Sequence, residues 1–287
     1  MRAYLIDSGT ASGVRLTDVP QPKPKPDEAL IAVEAFSLNH GELPKLGFFP
    51  QGTTGGWDSA GRVIQPASDG SGPPAGTRVV GWVRRIDAEQ ASTLPVAAGT
   101  ALRALRALGA VLGRRVFITG ATGGVGRFAV QLARRAGAYV VVPVSSVAKG
   151  DELLRIGADE VVTEVSQLSS SVYGVIENMG GETLVDAWNH LAPRGALVSV
   201  GYVSAQPAVF PPYSTVGPSK SLVSITLPFP VHPVETLAED FSYLAKLVAA
   251  GALQTPIVWR GDWGQLPEAI ELLASRRISG KAVLRVG

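Results

Sequence analysis

Six residues, Ala121-Thr122-Gly123-Gly124-Val125-Gly126, have types and spacing that point to chemistry. A short apolar β-type run, Val116-Phe117-Ile118, precedes them. After them, apolar residues recur at helical spacing (Val125, Ala129, Leu132, Ala136). A strand that ends in a tight glycine turn and opens a helix presents unpaired backbone N–H groups and a positive helix end. That arrangement receives a pyrophosphate. Gly123 lets the backbone approach phosphates, and Gly126 lets the helix pack closely on the strand. Position 121 holds Ala where the common dinucleotide fingerprint has its first glycine. Thr122, Gly123, Gly124 and Val125 are the residues expected to face a phosphate. An ordinary tight turn in an α/β protein would share the local signature, but the flanking strand and helix favour cofactor binding.

NAD-binding chains carry Asp or Glu about twenty residues beyond the turn, on the ribose 2′-hydroxyl. Here that place reads Pro143-Val144-Ser145-Ser146-Val147-Ala148-Lys149, and no acid follows until Asp151. Two hydroxyls and an ammonium suit a 2′-phosphate, so NADPH is the expected cofactor, held by Ser145, Ser146 and Lys149. The plainer alternative makes Lys149 a solvated residue opening a surface helix.

The elements that must position these residues are legible in outline. The 287-residue chain is long enough for two domains, and 46% apolar against 17% charged residues describes a well-filled core. Up to about position 95 it shows short β-type runs (29–35, 60–64) and a Pro-rich segment (20–26) that cannot be helix interior. From Gly99 helices and strands alternate: helix 100–108, the strand–glycine–helix unit, strand 139–144, a short helix 151–155, strands 160–162 and 175–177, helix 184–191, strand 196–200 and a β-type run 222–227. Alternation implies a doubly wound parallel sheet. Two amphipathic helices (235–249, 266–275) and a terminal strand (282–286) follow. The net charge of +2 with scattered Lys and Arg gives no nucleic-acid stripe or basic membrane helix. The absence of cysteine removes disulfides, thiolate nucleophiles and cysteine-based zinc sites. No secretory leader or membrane-length apolar stretch is read, so a cytoplasmic location is the expectation.

At this point the chain resembles the medium-chain dehydrogenase/reductase superfamily, specifically its zinc-independent quinone oxidoreductase branch. The resemblance rests on Phe36-Ser37-Leu38-Asn39, Gly56-Trp57-Asp58-Ser59-Ala60-Gly61-Arg62-Val63, Thr93-Leu94-Pro95-Val96-Ala97-Ala98-Gly99-Thr100-Ala101, the glycine turn, Gly157-Ala158-Asp159, Gly180-Gly181-Glu182, Leu197-Val198-Ser199-Val200-Gly201 and Gly280-Lys281-Ala282-Val283-Leu284. It implies an α/β fold: a Rossmann domain (residues 99–230) and a GroES-like β domain formed by both chain ends (1–98 and 231–287), with the active site in the cleft. Asn39 is implied near the nicotinamide ribose, Asn178 and Gly201 along the cofactor at strand ends, Lys281 among the cofactor-binding residues, and Lys149 on the 2′-phosphate. Trp57 stands where zinc-dependent relatives place a metal-ligating His, so no metal is expected. Hydride transfer to an already electrophilic carbon, in a quinone or an enone, needs no Lewis acid.

His40, after Asn39, and Tyr202, after Gly201, are the candidate proton donors; His40 reads equally as a solvent-facing loop residue. His190 and His232 have no companion Ser/Asp pattern. The resemblance also implies a further strand pair, roughly twenty residues, where Arg84-Arg85-Ile86 joins the flanking segments directly. Either part of the β domain is lost, which would open the substrate side of the cleft, or the sequence as given omits residues there, since losing paired strands would leave unsatisfied sheet edges. The expected activity is NADPH-dependent reduction of a small-molecule quinone or enone. The alternatives are an enoyl or tailoring reductase of natural-product biosynthesis, and an NADPH-binding protein without turnover. Relatives pair the last strand of the cofactor domain across a two-fold, so a homodimer through 222–227 is expected, with no nucleic acid or membrane partner.

Overall fold

The structure, a computed structural model, describes residues 1–43, 47–80, 87–216, 219–225 and 234–287. The expectations at Arg84-Arg85-Ile86, at Thr226 and Leu227, and at His232 lie outside the described residues. The chain opens with β1 (Arg2–Ile6), β2 (Val14–Asp18), β3 (Leu30–Ser37), β4 (Asp58–Gln65), β5 (Arg78–Val79) and α1 (Ala88–Ser92). It continues with α2 (Gly99–Ala107), β6 (Arg115–Ile118), α3 (Gly124–Arg135), β7 (Tyr139–Pro143), α4 (Val147–Arg155), β8 (Glu160–Val162), β9 (Val172–Glu177), α5 (Gly181–Asn189), β10 (Leu191–Ser199) and β11 (Ser221–Ser224). It closes with α6 (Val234–Ala249), β12 (Ile257–Asp262), α7 (Leu266–Ala274) and β13 (Lys281–Arg285). Two compact units result: Met1–Val96 with Pro230–Gly287, and Ala97–Phe229.

The central unit is built on a six-stranded sheet of order β11-β10-β9-β6-β7-β8, parallel throughout. Counted from β6 this is the 3-2-1-4-5-6 order of a doubly wound sheet, whose connections reverse direction between β6 and β9. The apolar runs explain it. Val116, Phe117 and Ile118 are all fully buried, as are Val140, Val141 and Val142, so neither face of the strands meets water. On α3, Phe128, Ala129, Val130, Leu132 and Ala133 are buried, while Arg134 and Arg135 sit at the helix end that favours cations. A Cβ at Gly126 would stand 2.3 Å from the Gly120 carbonyl oxygen and 2.5 Å from Ala121 Cα. No side chain fits there, so glycine sets how closely α3 approaches the end of β6.

In the other unit a five-stranded sheet runs β12-β13-β3-β4-β5, antiparallel except for β12 with β13. β13 lies against β3 with Leu284 opposite Phe36, so the two chain ends share one sheet. Its core gathers Val14, Leu43, Leu266, Ala269, Ile270 and Leu284, with Phe36, Trp259 and Trp263 packed on them. β1 and β2 form a separate antiparallel hairpin.

Several boundaries differ from expectation, those of α4 and α5 among them. α4 begins at Val147, not at 151, and takes in Gly150, where a Cβ would come within 3.0 Å of Val161. α5 begins at Gly181, since the Glu177 carboxylate accepts the Met179 and Gly180 N–H groups and fixes the turn before it. It ends at Asn189 because Leu191 pairs with Val172 in the sheet. β1, β2 and β12 were not expected at all; β12 alternates exposed and half-buried residues and gains its order from pairing with β13.

Gly126→Ala should lower stability by about 1–3 kcal/mol, the cost of overpacking. Denaturant unfolding of the purified variant checks this.

Candidate active site

Ligands of doubly wound sheets bind beyond the carboxyl ends of the strands, where the strand order reverses. Here those ends are Ile118 and Glu177. Beyond β6, Gly120 turns the chain with φ of +59°, and Gly123 caps α3 in extended conformation. The Gly123 N–H is spent on the Gly120 carbonyl at 3.0 Å. Gly124, Val125 and Gly126 occupy the first three helical positions, whose N–H groups have no carbonyl to donate to within the helix. A Cβ at Gly123 would meet only the Gly120 oxygen, at 3.4 Å, so the outer side of the turn is open to an approaching phosphate. The expected turn residues thus divide: Gly124 and Val125 offer donors, Thr122 and Gly123 shape the bend.

Beyond β9, Thr119, Glu177 and Asn178 form a buried knot. The Thr119 hydroxyl donates to Glu177 Oε1 at 3.0 Å and accepts the Asn178 N–H at 2.8 Å; Asn178 Nδ2 donates to the Thr119 carbonyl at 2.7 Å. Burial pushes the Glu177 carboxyl above the ordinary range, against the Gly180 and Met179 N–H groups and the Thr119 hydroxyl. A Cβ at Gly201 would lie 2.7 Å from the Asn178 carbonyl, so Gly201 and Asn178 do meet at the strand ends. Tyr202 is 55% exposed, but its hydroxyl donates to the Gln206 carbonyl and its ring lies over Gly180, so as a proton donor it would first have to leave that bond. Sequence reading missed Thr119 and Glu177; a Thr and a Glu at the ends of neighbouring apolar strands were the available signal.

At the end of β7, the Lys149 ammonium lies 3.2 Å from the Ser145 hydroxyl, and Ser146 caps α4 in extended conformation. The structure therefore brings Ser145, Ser146 and Lys149 together, with the two serines exposed.

The other unit holds a second polar cluster. Lys281, 1% exposed, donates to the Leu38 carbonyl (2.9 Å), Asn39 Oδ1 (2.7 Å) and Asp58 Oδ2 (3.0 Å). Asn39 Nδ2 donates to Glu42 Oε2 (2.9 Å) and Asp58 Oδ2 (2.7 Å), and its backbone N–H to Glu42 Oε2 (2.6 Å). Ser37 and the Val96 N–H complete Asp58, and the Trp57 N–H completes Glu42. Both ends of the Asn39 amide are thus engaged within this network. With both acids ionised the cluster would carry one net negative charge in the interior. Burial first, and Asp58 beside it second, push the Glu42 carboxyl up to about 7, against Lys281, the Trp57 N–H and Asn39. Glu42 and Asp58 were not among the expected site residues, although an acid three positions after Asn39 is a capping-box signal. His40 stands in the same single helical turn, His40–Glu42, and is partly buried.

A family model described as zinc-binding dehydrogenase matches residues 124–249. A probable mitochondrial zinc-binding oxidoreductase of Arthroderma benhamiae is 28% identical, over 96% of this chain and 94% of its own. The quinone oxidoreductase of Escherichia coli complexed with NADPH shares the fold at TM-score 0.86 and 22% identity, over 99% of both chains. The chain is thus similar to zinc-binding dehydrogenases over much of its central unit, and it shares the fold of quinone oxidoreductases. A phenolphthiocerol/phthiocerol polyketide synthase of Mycobacterium tuberculosis is also similar, 25% identical over all of this chain. The chain spans 15% of that relative's length.

Among the described residues the side chains do not make a zinc ligand set. The sequence has no cysteine, and the described residues contain no group of three His, Asp or Glu side chains able to share a metal. Trp57 is packed instead, its ring 5.7 Å from Phe49 and 6.4 Å from Phe48, with Gly41 leaving room for it.

The raised Glu42 carboxyl fixes a sign. The folded state keeps this proton up to about 7 whereas an unfolded Glu loses it near 4.5, so stability falls as pH rises between those values. Urea unfolding of wild type across that window should show the fall, and Glu42→Gln should flatten it.

Proposed function

We propose that this protein is an NADPH-dependent, zinc-independent oxidoreductase that reduces a quinone or an α,β-unsaturated carbonyl by hydride transfer. One observation carries the reading: the glycine-led end of α3 stands at the reversal point of the sheet, and a Ser-Ser-Lys cluster stands at the end of the adjacent strand β7. When bound, the reduced nicotinamide supplies the hydride. The Gly124, Val125 and Gly126 N–H groups receive the pyrophosphate, while Ser145, Ser146 and Lys149 receive the 2′-phosphate; an acid in their place would repel it. Asn178 and Gly201, which meet at the strand ends, would line the cofactor there. Lys281 fixes Asn39 and so positions the backbone from which His40 projects. The accepting carbon of a quinone or enone is already electrophilic, and the oxygen takes its proton from His40, Tyr202 or water. The exposed edge strand β11, with Leu222 47% and Val223 38% accessible, suits pairing with a second copy in a homodimer.

A second reading is favoured by the similarity of the whole chain to part of a polyketide synthase: an enoyl reductase acting on a carrier-bound or other large intermediate. In a third, the protein binds NADPH without turnover. Steady-state NADPH oxidation with quinones, short enones and enoyl thioesters of increasing chain length separates them. Turnover of quinones and short enones supports the main reading, a rise in kcat/KM with acyl length the second, and binding without oxidation the third.

Lys149→Ala should raise the Kd for NADPH about tenfold, the loss of one charged contact to phosphate, and leave NADH unchanged. Fluorescence titration measures both; equal effects on the two nucleotides would contradict the 2′-phosphate site.

A further inference from the structure

Arg127 is the fourth residue of α3, directly behind the glycine turn, and its side chain is only 6% exposed. A cation in the first turn of a helix opposes the macrodipole, so this guanidinium needs compensation. It has three partners. Nε donates to the Thr122 carbonyl at 2.9 Å, and the two terminal nitrogens donate to the two carboxylate oxygens of Glu152 at 2.6 and 2.7 Å. Thr122 belongs to the glycine turn. Glu152 belongs to α4, the helix that Ser146 caps and that carries Lys149. The contact to Arg127 holds the Glu152 carboxyl below the ordinary range. A planar fork serving a carboxylate with two parallel bonds and a carbonyl with a third has one geometry, which a flexible ammonium could not reproduce.

We propose that Arg127 is a positioning residue for cofactor selectivity: by bracing the Thr122 carbonyl against Glu152 it fixes the spacing between the pyrophosphate-binding turn and the Ser145–Ser146–Lys149 cluster. The proposal rests on the reading that NADPH binds there. Neither Arg127 nor Glu152 touches the 2′-phosphate in this account. Their effect is to hold the two phosphate-receiving groups at the separation that one adenosine 2′-phosphate spans, which makes them determinants of NADPH over NADH.

Glu152→Gln separates bracing from simple charge. Glu152 is 41% exposed, so the substitution is tolerable for folding, and it removes a negative charge near an anion site. Charge alone predicts tighter nucleotide binding; bracing predicts weaker. Wild type, Glu152→Gln and Arg127→Lys are titrated with NADPH, NADH and 2′,5′-ADP. The expected result for Glu152→Gln is a Kd for 2′,5′-ADP and NADPH raised about tenfold, with the NADH value little changed, so that selectivity falls. Arg127→Lys, which keeps the charge but loses the fork, should lower the same ratio. Unchanged or tighter 2′,5′-ADP binding by Glu152→Gln, or equal weakening of NADPH and NADH in both variants, overturns the proposal. Wild-type protein that binds neither NADPH nor 2′,5′-ADP, or prefers NADH, overturns the cofactor reading beneath it instead.

Discussion

The approach of α3 to the end of β6 is the contact on which the central unit depends. Gly126 presses its backbone against Gly120 and Ala121 at distances that admit no Cβ. That closeness brings the first turn of α3, whose N–H groups have no carbonyl partner within the helix, up to the carboxyl end of the sheet. Phe128, Ala129 and Leu132 then bury the helix against strands that are apolar on both faces. The geometry of the turn follows from packing: the residues that make the helix fit also aim its positive end. The same logic extends sideways. Thr119, Glu177 and Asn178 tie the ends of β6 and β9 to each other, and Arg127 ties the turn to α4.

The other unit solves a different problem, the burial of charge. Lys281 arrives on β13 from the far end of the sequence and meets Asp58 at the start of β4 and Asn39 just past β3. The three elements are adjacent in one sheet, so a single ammonium satisfies groups from distant parts of the chain. Burying two acids beside one base pushes the Glu42 carboxyl above its ordinary range. Such a cluster is costly to break because losing Lys281 or Asp58 leaves an uncompensated charge inside.

The elements of the central unit were legible because each announces itself locally. The run 116–118 and the run 139–144 are continuous apolar stretches, and the glycines fall where a strand meets a helix. What could not be read were the features that arise only from tertiary contact. The Gly150 backbone lies inside α4 with Val161 beside it, and Leu191 leaves the helical pattern because Val172 offers a ladder position. Among the candidate site residues, Ser145, Ser146 and Lys149 were proposed from the missing acid. Glu42, Asp58, Glu177 and Arg127 were not. Nothing in their local sequence shows that Asp58 will meet Lys281, that Arg127 will meet Glu152, or that Glu177 sits next to a fully buried Thr119. Lys281 was expected near a cofactor by resemblance; the structure gives it three partners within its own unit.

Hydrogen–deuterium exchange with and without saturating NADPH tests the central claim most directly, because it reads the N–H groups that the account assigns to the pyrophosphate. Slower exchange in peptides covering Gly124–Gly126 and Ser145–Lys149, with NADH protecting only the first, is the predicted result. Binding of NADPH with no protection of the first turn of α3 would contradict the account, since the cofactor would then lie elsewhere.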